Sequence, residues 1–144
     1  MSRKPSAETT MAWARLVRVQ QALVGAVEKE LKASGFPPLA WYDALLELSR
    51  ESCGALRPLE LEKRMLMPQY STSRLVDRLV EAGLAERKSC PVDARGQFVA
   101  ITPEGRVLQK KMWQVYAVAI EHHVGAKLSN KDAVSLGTLL GKLA

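Results

Sequence analysis

Cysteine and histidine are scarce, with two of each in 144 residues. Cys53 and Cys90 form no C-x-x-C pair, and His122 and His123 are adjacent. Neighbouring residues on a helix point about 100° apart, whereas joint chelation needs a spacing of three or four. A structural metal centre and a disulfide framework are therefore not the basis of this fold, and two reduced thiols fit a cytoplasmic protein. Apolar runs are short as well. None approaches the roughly 18 residues that span a bilayer. The opening Met1-Ser2-Arg3-Lys4-Pro5-Ser6-Ala7-Glu8 lacks an apolar signal core, so neither secretion nor a membrane partner is expected. Also missing are a nucleophile elbow, a phosphate-binding glycine loop, paired catalytic carboxylates and a supported Cys/His dyad. Neither an enzyme nor a resident cofactor is expected. No repeat, low-complexity tract or linker interrupts the chain, so residues 1–144 read as one unit.

What is present is enough apolar material for a core, 47% of residues, and a net charge of +6 with a pI near 9.5. The positive balance favours an anionic partner. Its distribution tempers the argument: residues 57–106 hold nine Lys/Arg against seven Asp/Glu, a net of +2. Placement of charge, rather than its amount, has to identify any nucleic-acid surface.

Hydrophobic periodicity divides the chain. Trp13, Leu16, Val19, Leu23, Val27 and Leu31 recur at spacings of three and four, which predicts an amphipathic helix from about Ala7 to Ala33. Ser34-Gly35 and Pro37-Pro38 stop it. One small lobe cannot cover so long a stripe, and a partner subunit is a natural way to bury it. A second helix is expected from Leu39 to Ser52, with Trp41, Ala44, Leu45 and Leu48 inward, and a short third after Pro58. A fourth spans Gln69–Ala82 and closes at Gly83. The period then changes: Leu84–Arg87 and Gln97–Ile101 read as strands joined by the turn-prone Cys90–Gly96. Thr102-Pro103-Glu104 supplies an N-cap, a proline at the first helical position and an acid for a fifth helix reaching Val124. Ser129 and Asp132 open a last helix carrying Leu136, Leu139, Leu140 and Leu143.

Three helices followed at once by a hairpin form the winged helix-turn-helix plan, a mainly α fold with a small β-wing. A major groove about 12 Å wide admits one helix, and a hairpin loop reaches the neighbouring minor groove. The fourth helix has the two faces this requires. Thr72, Leu75, Val76, Leu79 and Val80 form an inward stripe. Gln69, Tyr70, Ser71 and Ser73 stand at its N-terminal turn to approach base edges and phosphates, and Arg74 and Arg78 share a face suited to backbone oxygens. At the hairpin tip, Arg95 suits the negative potential of an A·T-rich minor groove, and Asp93 would aim it through a bidentate pair.

These same stretches carry a family resemblance. Ser73-Arg74-Leu75-Val76-Asp77-Arg78-Leu79-Val80-Glu81-Ala82-Gly83-Leu84-Ala85-Glu86-Arg87 resembles the recognition-helix block of the MarR family. Asp93-Ala94-Arg95-Gly96 and Val99-Ala100-Ile101-Thr102-Pro103-Glu104-Gly105 resemble its wing and the exit into the fifth helix. The resemblance implies a transcription regulator: a homodimeric repressor of a palindromic operator in double-stranded DNA. It further implies a DNA-binding lobe over about 39–103, dimerising helices over 7–33 and 104–144, and Asp93 and Arg95 as the wing's DNA-aiming pair. Many members bind small aromatic effectors in a crevice beside the lobe. On that basis Trp13, Arg15, Arg18, Trp41, Tyr42, Trp113 and Tyr116 are the expected lining, with an arginine for a carboxylate. The competing class is a winged-helix adaptor that binds protein, which the modest central charge keeps open. Salt-dependent duplex affinity separates the two.

Overall fold

The computed structural model describes residues 2–89 and 96–144. Helix α1, Ala7–Ala33, begins where the Ser6 hydroxyl accepts the Thr9 amide at 3.1 Å. It ends in two reversed bonds, Gly35 N–H to the Lys32 carbonyl and Phe36 N–H to the Leu31 carbonyl, both 3.0 Å. Gly35 can take the required φ of +79° because it has no Cβ. Helix α2, Leu39–Arg50, has no acid in its first turn and a proline at its N-cap. Glu28 of α1 fills that role, its carboxylate oxygens lying 3.0 and 3.2 Å from the Leu39 nitrogen. The cap therefore also fastens α2 to α1.

Strand β1 (Ala55–Leu56), helix α3 (Pro58–Arg64), helix α4 (Thr72–Glu81), strand β2 (Ala85–Ser89) and strand β3 (Gln97–Ile101) follow. The sheet is antiparallel in the order β1-β3-β2, with Ala55 opposite Ala100 and Arg87 opposite Val99. Helix α5, Pro103–Ile120, continues into a π-helical segment, Glu121–Gly125, and helix α6 spans Asn130–Gly141. Reciprocal bonds between Ser129 and Asp132 start α6. In the π-helical segment the half-buried His123 Nε2 lies 3.0 Å from Glu30 Oε1 of α1, while His122 is exposed.

One joint fixes the wing against α5. Gly83, at φ +78°, closes α4 with its amide on the Val80 carbonyl, and Leu84 N–H reaches the Leu79 carbonyl. The Thr102 hydroxyl donates to the Gly83 carbonyl at 2.7 Å and accepts the Gly105 amide at 3.1 Å. Thr102 N–H meets the Leu84 carbonyl, also at 3.1 Å. Gly105 packs so closely that a Cβ there would sit 2.2 Å from that same carbonyl oxygen.

Two apolar clusters form among the described residues. Leu45, Leu48, Leu61, Val76, Leu79 and Val99 are wholly buried beneath α2, α3, α4 and the sheet, each side chain contributing roughly 1.5–3 kcal/mol relative to exposure. Val27, Leu31, Tyr42, Met112 and Ala119 form the second, where α1, α2 and α5 meet. The first half of α1 and all of α6 lie outside both: Trp13 is 67% exposed, Val19 52% and Leu139 58%. Among the described residues, no helix is long and apolar enough to cross a membrane.

Several boundaries depart from the expectations. The fourth helix starts at Thr72 rather than Gln69, because Ser71, in extended backbone, takes the N-cap position. The second helix stops at Arg50 rather than Ser52, and the fifth changes to π-helical hydrogen bonding at Glu121. Strand β1 was not anticipated.

Candidate nucleic-acid interface

Helix α4 buries Thr72, Leu75, Val76 and Leu79 and exposes Ser73, Arg74, Asp77, Arg78 and Glu81. The Ser71 hydroxyl accepts the Arg74 amide at 3.2 Å, relieving one of the unpaired donors at the helix start. Asp77 is paired with Arg87 of β2, which ties the helix to the sheet. Arg74, in the first turn of α4, and Arg78, in its last, are both exposed and form no ion pair among the described residues. Gln69 precedes the helix with its amide on the Pro68 carbonyl at 3.0 Å, and Tyr70 is fully exposed. Asp93 and Arg95, together with Cys90, lie outside the described residues. At the base of the wing the Arg57 guanidinium lies 5.2 Å from the centre of the Phe98 ring and 3.1 Å from where a Gly96 Cβ would stand. Sequence reasoning did not single out Arg57; its place beside the hairpin depends on β1 pairing with β3.

The approach to α4 is braced from below. Asp43 of α2 is buried, and its Oδ2 accepts the Met67 amide at 2.7 Å from the α3–α4 loop. Burial raises this carboxyl above its ordinary value, and the Met67 and Leu66 amides pull it back in part.

Above Asp43 opens a pocket of about 330 Å³ between α2, α5 and the α3–α4 loop. Tyr42, Trp113 and Tyr116 meet there, with Tyr42 stacked on Trp113 at 6.1 Å and edge-on to Tyr116 at 5.1 Å. Burial raises both tyrosine hydroxyls above their usual value. The other four residues expected in this crevice are elsewhere. Trp13, Arg15 and Arg18 lie on the exposed first half of α1, and Trp41 packs against the lobe core. A step of one residue along α2 rotates by about 100°, so Trp41 and Tyr42 face different cores. The arginines that do line the pocket are Arg50 and Arg64, paired with Glu47 and Glu51. Asp43, Arg50 and Arg64 went unnoticed because a charged residue inside a helical pattern reads as solvent-facing. No group of three or more candidate metal ligands occurs among the described residues.

A helix with one buried stripe and a cationic outer face, preceded by two supporting helices and followed by a hairpin, defines a winged helix-turn-helix. A sequence model of the MarR family matches residues 34–96. The multiple antibiotic resistance protein MarR of Salmonella typhimurium is 29% identical over 90 residues, 62% of this chain, and the match spans 62% of that relative's own length. Sco3205, a MarR family transcriptional regulator from Streptomyces coelicolor solved in complex with DNA, superposes with a TM-score of 0.89. It is 26% identical, over 99% of this chain and 89% of its own. BpsR of Bordetella bronchiseptica, whose DNA binding is regulated by 6-hydroxynicotinic acid, gives 0.82 at 22% identity over 97% of each chain, a likeness of fold alone. The chain is similar to MarR family transcriptional regulators, in sequence over residues 34–96 and in fold over nearly its whole length.

Proposed function

We propose that the protein is a sequence-specific regulator that binds double-stranded DNA as a cytoplasmic homodimer. It represses a palindromic operator and is released by a small effector. The observation that carries this reading is the two-faced α4: a buried Thr72, Leu75, Val76, Leu79 stripe holds the helix in place, while Ser73, Arg74 and Arg78 are exposed at its outer face. The N-terminal turn, with Gln69, Tyr70 and Ser71 leading into it, enters the major groove; the two arginines take phosphates. Arg95, aimed by Asp93, takes the adjacent minor groove. The lobe over 39–103 does the reading. Trp13, Leu16, Val19, Leu136, Leu139 and Leu140 are apolar and exposed within one protomer, so α1 and the helices after the wing form the two-fold interface. An aromatic effector enters beside Tyr42, Trp113 and Tyr116, next to the loop that leads into α4.

Selection of bound duplexes from a random library tests this. An inverted repeat with half-sites about one helical turn apart is expected, with affinity falling steeply as salt rises. No enriched sequence, or affinity indifferent to salt, would refute the reading, and a stoichiometric protein complex indifferent to duplex would replace it with an adaptor.

A further inference from the structure

The charged residues lining the pocket beside α2 balance, Asp43 and Glu47 against Arg50 and Arg64, but the arginines are not placed on Asp43. Asp43 is only 5% exposed, and its Oδ2 accepts the Met67 amide, but no cation stands within ion-pair distance of it among the described residues. Both guanidinium groups are already engaged. Arg50 holds Glu47 at 3.1 Å, and Arg64 is bonded to Glu51 and lies 4.0 Å from Glu60. Tyr42, Trp113 and Tyr116 stand around the same space with ring centres 5.1 to 6.1 Å apart, and their faces carry the negative potential that attracts cations. An anionic ligand would meet Asp43 and Glu47 and would have to draw an arginine away from its partner. A cationic ligand supplies the charge the buried carboxylate lacks.

We propose that this pocket binds an organic cation: a protonated amine on a flat apolar body, its ammonium on Asp43 and its ring among Tyr42, Trp113 and Tyr116. The inference rests on the effector-released regulator proposed above and names the chemical class of that effector. It also supplies a route to the DNA-reading helix. An ammonium on Asp43 neutralises the carboxylate and so weakens its bond with the Met67 amide, and Met67 lies in the loop that runs directly into Thr72, the first residue of α4. Occupancy of the pocket thus loosens the brace at the entry to α4.

Calorimetric titration of the full chain at neutral pH with three near-isosteric probes tests the charge preference: phenethylamine, 2-phenylethanol and 3-phenylpropionate. The expected order is amine, then alcohol, then acid, with the amine at least about ten-fold tighter than the acid, the scale of one charge-assisted hydrogen bond. Asp43→Asn keeps an acceptor for the Met67 amide and removes the charge. It should bring phenethylamine down about ten-fold, to the level of 2-phenylethanol, and leave 2-phenylethanol unchanged. An acid that binds as tightly as the amine, no heat from any of the three, or an unchanged ranking in the variant would overturn the inference. The ranking on the unaltered protein needs no variant, so instability of Asp43→Asn would not blunt the test. A protein that prefers the amine yet selects no duplex keeps this inference and loses the regulator reading. One that binds its selected duplex but prefers the acid keeps the regulator and loses the cation.

Discussion

Replacing Gly105 by alanine tests the joint that sets the wing against α5. The added methyl would lie 2.2 Å from the Leu84 carbonyl oxygen and 2.8 Å from Ile101 Cγ1. The first neighbour is backbone, so no side-chain rotation relieves it. Either α5 or the α4–β2 corner must move by about 1 Å, the gap to an ordinary van der Waals contact. That displacement overpacks the core at about 1–3 kcal/mol. It also strains the Thr102 bonds to Gly83 and Leu84, worth roughly 1 kcal/mol each. Alanine regains at most about 1 kcal/mol of helix propensity. The net expectation is a loss of about 2–4 kcal/mol, or some 6–15 °C in Tm for a chain of this size. Gly83→Ala is the companion variant: its φ of +78° strains an alanine by roughly 1–2 kcal/mol, but nothing lies within 4 Å of its Cβ. Thermal unfolding by circular dichroism at fixed protomer concentration reads both. Gly105→Ala should melt lower than Gly83→Ala. A Tm within about 2 °C of the parent for Gly105→Ala, or the reverse order, would refute the close approach.

Four further outcomes are expected. Light scattering at micromolar concentration should give a homodimer, with α1 and α6 in an interface of at least about 2,000 Å²; a monodisperse monomer would exclude that arrangement. Arg74→Ala should lower the slope of log affinity against log salt by about two, one phosphate contact of roughly 0.9 being lost from each subunit; an unchanged slope would remove Arg74 from the phosphate contacts. Ser71→Ala should cost about 1 kcal/mol in urea unfolding through loss of the α4 cap, with Ser71→Asn restoring it; no loss would contradict the Ser71–Arg74 bond. Burial holds the Asp43 carboxyl above 3.8 in the folded chain, with Glu47 adding to the rise and Arg50 opposing it. The folded state therefore binds this proton more tightly than the unfolded chain. The associated stability is full below the unfolded value and is lost as pH rises through the folded one. Asp43→Asn should flatten that part of the stability profile and be at least as stable as the parent at pH 7; an unchanged profile would assign the dependence to another group.

What could be read along the chain were the features that close within about four residues. Thr102 and Ser129 mark helix starts because a hydroxyl reaches an amide three positions on, whatever the rest of the fold does. Gly35 and Gly83 mark helix ends for an equally local reason. The α4 stripe was legible because four of its five members, Thr72, Leu75, Val76 and Leu79, recur at helical spacing and are buried against one core. Strand β1 was not, since two residues carry no period and Ala55–Leu56 become a strand only when β3 pairs with them. The start of α4 followed the same rule: Gln69 and Tyr70 fit a helical pattern, but Ser71 in extended backbone ended it. The pocket was the least legible feature. Its aromatics were on the expected roll, while Trp13, Arg15, Arg18 and Trp41 were not part of it. Nothing along the chain marks Asp43, whose carboxylate meets the Met67 amide of the α3–α4 loop 24 residues away. Propensity, capping and periodicity are short-range energies written in consecutive residues. Which face of α2 meets α5, and which carboxylate is taken out of water, depends on how three helices and a loop pack together, and that is settled only by tertiary structure.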